Sequence, residues 1–333
     1  MKRGLSALLV IGLVCCGMGL GLSAAPLKIG IFKIVEHPAL DAVEQGVIDA
    51  LTAAGYERGV DVEYLLASAQ GEFSNAIAIA QNFQAQNVDL VVAIATPCAL
   101  AAVQVLGNSA TPVVFAAITA PEEYGLDEFA NVTGVSDLIE PILDLGLLQD
   151  VRPGIQRIGI VYNPGEANSA YLTGIAEQAA RTLGITIVTA AAENSSSVQQ
   201  AAQALSGRVD AIYVTTDNTV ASALEAVVAV AVELKVPFLM ADPSSIAKGP
   251  TICAGWDYYS HGLLAGDIVA QILAGASPSA IAITYQKDTQ YAEREVLLQL
   301  DTAELSGIRF SDKVVAQATG IYYGGVEWKR AGQ

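Results

Sequence analysis

Residues 30–46, GIFKIVEHPALDAVEQG, set Glu36 beside His37 where an apolar run gives way to a helical pattern. A histidine next to a carboxylate has the makings of a metal ligand or a proton-transfer base. His37 and His261 are the only histidines in the chain. A zinc-type site needs further His or Cys at ligand spacing, and none accompanies His37. His261 falls among Tyr258, Tyr259 and Gly262 at a helix start, where packing is the plainer role. No GxSxG, P-loop or GxGxxG follows a strand pattern. These residue types favour holding a ligand over reacting with one, and no cofactor is expected.

The remaining polar candidates sit just past apolar runs. They are Thr96, Pro97 and Thr119 in the first half, then Asn163, Glu166, Asn168, Asp217, Asn218, Asp242 and Asp257 in the second. Thr96-Pro97 and Asp217-Asn218 read as helix starts, since Thr, Asp and Asn cap helices and Pro suits the first helical position. Free backbone N–H groups at such starts favour an anion such as a carboxylate. Glu36, Glu166, Asp217, Asp242 and Asp257 make the opposite demand, for a cation such as an ammonium. A ligand bearing both charges is an amino acid. Each residue also has a structural role open to it: Asp217 and Asp257 as plain helix caps, the glutamates as charges at helix starts. Tyr162, Trp256 and Tyr258 stand where they could form an apolar wall or ordinary core.

Positioning these residues requires short β-branched strands alternating with Ala-rich helices. Strand patterns cover 27–34, 60–66, 89–94, 112–116, 157–162, 185–190, 210–214 and 237–240. Helical patterns cover 39–54, 74–86, 99–106, 167–183, 198–205 and 220–234, and another opens at Ile139. The alternation predicts an α/β chain with parallel sheets covered by helices on both faces. Ligands of such sheets bind beyond the carboxyl ends of the strands.

The pattern occurs twice. KIGIFKIVEHPA is echoed by RIGIVYNPGEAN, and VDLVVAIATPCALAAV by VDAIYVTTDNTVASAL. Gly55 and Gly184 fall at matching offsets, and TPVVF matches KVPFL. Two similar doubly wound lobes joined by a multi-strand hinge are therefore expected. Lobe I would hold residues 26–136 and 257–286, lobe II residues 137–256 and 287–320, and residues 321–333 would form a C-terminal tail.

The 333 residues are 53% hydrophobic, enough for two cores. Lys2 and Arg3 precede an apolar run and a small-residue exit at Ser23-Ala24-Ala25, the layout of a cleaved signal peptide over 1–25. Lipid attachment at Cys15 or Cys16 is the poorer reading, because the residues ahead of it do not suit. The formal net charge is −17, and the leader contributes only positive charge, so the exported part is more acidic still. Such a field repels nucleic acid and anionic membrane, and no nucleic-acid partner is expected. Cys98 and Cys253 are too distant in sequence to suggest a scaffold and are expected as buried thiols.

KIVEHPALDA, AIATPCALAA, VYNPGEANSAY, VTTDNTVASALEAVV and GWDYYSHG, in this order, resemble the ABC-transporter substrate-binding proteins of the tryptophan/tyrosine-binding type. The resemblance runs from about residue 27 to 307. It implies a type I periplasmic-binding fold, capture of a small ligand between two closing lobes, delivery to an ABC permease, and no catalysis. It also implies an exported, periplasmic, monomeric protein. Carried onto matching motifs, the ligand-binding residues would be Glu36, His37, Thr96, Pro97, Asn163, Glu166, Asn168, Asp217, Asn218, Asp242 and Asp257. Two places depart from the family pattern: Thr119-Ala120-Pro121 where relatives tend to have Thr-Asp-Pro, and Asp242-Pro243-Ser244 where a second acid often follows. A sensory module of the same fold, feeding a receptor instead of a permease, is the alternative.

Overall fold

The computed structural model describes residues 25–329. All of the expected leader except Ala25 lies outside them, as do the last four residues. In the first half, β1 (Leu27–Lys33), α1 (Pro38–Ala53), β2 (Val62–Ser68), α2 (Phe73–Ala85), β3 (Leu90–Ile94), α3 (Thr96–Leu106), β4 (Val113–Ile118) and β5 (Val132–Ser136) alternate. The second half runs α4 (Pro141–Val151), β6 (Arg157–Tyr162), α5 (Ala167–Leu183), β7 (Thr186–Ala191), α6 (Val198–Gln203), β8 (Ala211–Val214), α7 (Asn218–Ser222), α8 (Leu224–Leu234), β9 (Phe238–Met240) and β10 (Ile252–Gly255). After α9 (Tyr258–Leu273) and β11 (Thr284–Tyr285) come β12 (Glu295–Gln299), α10 (Leu300–Leu305), α11 (Asp312–Gln317), β13 (Gly320–Tyr323) and β14 (Val326–Lys329).

Two sheets result, in the orders β11-β5-β4-β3-β1-β2 and β14-β13-β12-β10-β9-β8-β6-β7. The first five strands of each half occupy equivalent places, so the repeat seen in the sequence is a repeat of topology. All pairings in the first sheet are parallel. β3 and β4 are fully buried, as strands covered on both faces must be. The chain passes between the sheets three times: after β5, after β10, and between β11 and β12. These are the several strands of the expected hinge.

The echoed Ile-Gly-Ile has a steric reason. A Cβ on Gly30 would lie 2.6 Å from the Phe83 ring, and one on Gly159 would lie 2.6 Å from Leu205. In each lobe the glycine lets a large side chain press directly onto the strand. Helices α1 and α9 approach through small residues as well: a Cβ on Gly262 would sit 2.3 Å from the Val43 carbonyl oxygen. Cys98 and Cys253 are buried and unpaired.

Four details differ from the sequence reading. β5 and β10 are absent from the strand patterns, because VTGVS and ICAG are short and carry glycine. The helix expected over 220–234 is broken at Ala223, which leaves helical geometry (φ −126°) and separates α7 from α8. Residues 320–329 are not a tail but two strands, β13 parallel to β12 and β14 antiparallel to β13. With β12 antiparallel to β10, the second sheet is mixed. No described helix is long and apolar enough to cross a membrane.

Candidate functional site in the cleft between the lobes

A buried cavity lies where the carboxyl ends of both sheets face each other. His37, Leu40 and Thr119 wall it from the first lobe, and Asn168, Asn218 and Asp242 from the second. The centre of a water molecule can range over only about 20 Å³ inside it, room for about one water. The two lobes touch across it. His37 Nε2 lies 3.1 Å from Asn218 Oδ1, and the Tyr124 and Tyr171 rings meet edge to face at 6.5 Å.

The His37 geometry follows from its partner. Asn218 Nδ2 donates to Glu166 Oε2 at 2.8 Å, which turns Oδ1 toward the histidine. Nε2 must then carry the proton and donate, leaving Nδ1 as an acceptor with no partner. Burial holds the His37 pKa below its usual value, so the ring is neutral near pH 7.

Glu166 is consumed by structure. Its oxygens accept from Asn218 N at 3.2 Å, Thr219 N at 2.8 Å and Thr219 Oγ1 at 2.5 Å, clamping the start of α5 to the start of α7. Asp217 is likewise saturated: Val220 N donates to one oxygen at 2.8 Å, and Asn163 N and Ser169 Oγ donate to the other at 2.5 Å each. Burial, then the charge of Glu166, pushes its pKa up to about 7. Asp242 caps its own turn through Ser244 N at 2.8 Å and Ser245 Oγ at 2.5 Å. These acids shape the cavity while their lone pairs are largely engaged.

Three other oxygens on the wall have no partner, one of them the Thr216 hydroxyl. Asn168 Nδ2 donates to the Thr216 carbonyl at 2.7 Å, and its Oδ1 has no partner. Asp137, which the sequence reading missed, accepts from Tyr258 OH at 2.7 Å through Oδ2 while Oδ1 has no partner. Both residues line the cavity, and Asp137 is only 3% exposed. Burial raises the Asp137 pKa, against a lowering from the Tyr258 hydrogen bond. Elsewhere on the wall, α1 has no side-chain cap, and Ala39 and Leu40 in its first turn line the cavity. That end offers free N–H groups and the positive end of a helix.

The structure does not bring every expected residue to this cavity. Glu36 points to solvent, its side chain 56% exposed, and pairs with Lys33 Nζ at 2.7 Å. Lys33 sits buried at the end of β1 and also gathers Asp41 and Glu44. Burial alone would lower the lysine pKa, and the three carboxylates more than reverse that. Thr96 is buried at the head of α3 with its hydroxyl unpartnered, outside the cavity lining. Pro97, Asn163 and Glu166 line a wider interlobe chamber, where water centres range over about 690 Å³. Asp257 caps α9 through Tyr259 N and Ser260 N, both at 3.2 Å, and faces a separate depression. Of the proposed aromatic wall only Tyr258 reaches the cavity, because the Trp256 indole donates to the Leu138 carbonyl at 3.3 Å and Tyr162 packs in the second core.

His261 is a packing residue whose tautomer is fixed. Ala117 N donates to its Nε2 at 2.8 Å, so Nδ1 bears the proton and donates to Gln286 Oε1 at 2.7 Å. Ala117, on the cavity wall, is held at φ +56°, a left-handed conformation costly to a residue with a Cβ.

A family model described as ABC transporter substrate binding protein matches residues 28–321. A tyrosine-binding protein of Clostridioides difficile (strain R20291) is 34% identical over 285 residues, 84% of this chain and 82% of that protein. The crystal structure of an ABC domain in complex with L-Trp from Streptococcus pneumoniae is 27% identical, with a TM-score of 0.83 over 90% of this chain and 100% of that one. The ligand-free, open structure of a substrate-binding protein with adhesive properties from Clostridium difficile is 30% identical, with a TM-score of 0.63 over 86% and 96%. A family model spanning nearly the whole chain, and a relative this similar along most of its length, place the protein in the ABC transporter substrate-binding family, with the type I periplasmic-binding fold.

Proposed function

We propose that this substrate-binding protein captures an aromatic amino acid between its lobes and hands it to an ABC permease. The observation that carries the reading is the pair of partnerless acceptor oxygens, Asp137 Oδ1 and Asn168 Oδ1, beside the partnerless Thr216 hydroxyl in a buried cavity walled by both lobes. Buried polar atoms are almost always hydrogen-bonded, so an orphan carboxylate oxygen calls for a donor, here the ligand ammonium. The uncapped first turn of α1 suits the ligand carboxylate. The tyrosine and L-Trp named for the two relatives support the same ligand class.

Capture requires the lobes to part, since the cavity as it stands holds little more than a water molecule. The higher likeness to the Trp-bound relative than to the open one, at comparable identity, supports a closed arrangement here. The hinge falls at the lobe limits 136/137, 256/257 and 286/287. The protein acts outside the cytoplasmic membrane as a periplasmic monomer, exported through its leader, and performs no chemistry on the ligand.

Calorimetry of ligand-stripped protein against the twenty amino acids tests this. Tyrosine or tryptophan should bind, and at a hundredfold excess over Kd the ligand should stabilise the fold by about 2.7 kcal/mol. Absence of binding by any amino acid overturns the reading.

A further inference from the structure

Asp137 occupies two places at once. It lines the ligand cavity, and it is the first residue after β5, where the chain leaves lobe I for lobe II. Its N–H donates to the Ile118 carbonyl at 3.1 Å, which ties the crossing back to β4. Its bonded partner, Tyr258, opens α9 immediately after the second crossing. The third crossing is tied to the second by Gln286 Nε2, which donates to the Asp257 carbonyl at 3.1 Å. The three connections are thus cross-bonded, and the Tyr258–Asp137 bond is the one that reaches the cavity.

Resting on the proposed capture of an amino acid, we propose that Tyr258 is a positioning residue: it orients and charges Asp137 for the ligand ammonium, so that cation binding bears directly on the hinge. The hydroxyl holds Oδ2 from one side, which leaves Oδ1 as the atom turned to the cavity. The bond also favours the ionised carboxyl against burial, the effect that opposes it most strongly. The other titratable groups around Asp137 leave it no alternative cation. His261 is locked neutral by its two partners, Asp242 and Tyr124 are acidic groups, and His37, on the same cavity wall, is buried and neutral.

The test measures tyrosine and tryptophan affinity by calorimetry from pH 5 to 8 in wild type, Tyr258→Phe and Asp137→Asn. Circular dichroism and melting confirm the folded state of each variant. Asp137→Asn, which keeps shape and loses charge, should bind roughly ten- to a hundredfold more weakly across the range. Tyr258→Phe should bind more weakly near neutrality, and the pH below which its affinity falls should move upward, because its carboxyl is easier to protonate. A loss in Tyr258→Phe that is the same at every pH would make the tyrosine a packing residue and overturn the proposal. Wild-type affinity in Asp137→Asn would overturn it too, while leaving amino-acid capture standing. Failure of the wild type to bind either ligand is the separate failure of the capture reading.

Discussion

His37 Nε2 and Asn218 Oδ1, 3.1 Å apart, join the two lobes by a hydrogen bond that needs no ligand. A buried neutral bond of this kind contributes about 1 kcal/mol, roughly a fivefold bias toward closure. In ligand-free His37→Ala, small-angle scattering should therefore show a larger radius of gyration than in wild type. Equal radii would mean that closure rests on the Tyr124–Tyr171 contact or on packing alone.

Asp217 makes stability depend on pH in a definite direction. Folding raises its pKa from 3.8 to about 7, so between these values the folded chain holds a proton that the unfolded chain has released. Wild type should therefore lose stability relative to Asp217→Asn as pH rises from about 4 to 7, with no further change above that. Denaturant melts of both proteins across this range provide the check, and a flat difference would mean that Asp217 stays ionised.

Asp257 caps a helix and faces away from the cavity. Asp257→Ala should cost about 1 kcal/mol of stability through the lost cap and leave ligand affinity unchanged. Melting and calorimetry on one preparation separate the two effects. A tenfold loss of affinity would return this acid to the site.

The contact between α1 and α9 leaves no room for a methyl group. Gly262→Ala would put Cβ 2.3 Å from the Val43 carbonyl, and overpacking of this kind costs about 1–3 kcal/mol. Its melting temperature should fall by several degrees. Affinity should fall too, since α1 carries Leu40 and α9 carries Tyr258 to the cavity.

The lobes were legible in the sequence because β-branched runs and Ala-rich helices alternate twice at the same offsets. The strand-end rule then led to His37, Thr119, Asn168, Asp217, Asn218 and Asp242, all on the cavity wall. It does not reach Asp137, because β5, VTGVS, is too short and too glycine-interrupted to register as a strand. Glu36 lies away from the cavity because Lys33, buried at the end of β1, draws it off, and the burial of that lysine cannot be read from the local sequence. The acids that were found raised a further difficulty: spacing locates a carboxylate but not its hydrogen bonds. Asp217 takes the helix-cap role that its sequence left open, while the use of Glu166 on the start of α7 shows only in the contact between α5 and α7.

The seam between α1 and α9 brings together the beginning and the last third of the chain. A ribosome or a translocation channel delivers α1 long before α9, so Val43, Gly46 and Val47 wait uncovered while most of the second lobe emerges. Lobe I cannot finish folding from its own N-terminal half. Long-range closures of this sort are slow to form, and the delay keeps the early part of the chain loose during the passage across a membrane that export would demand.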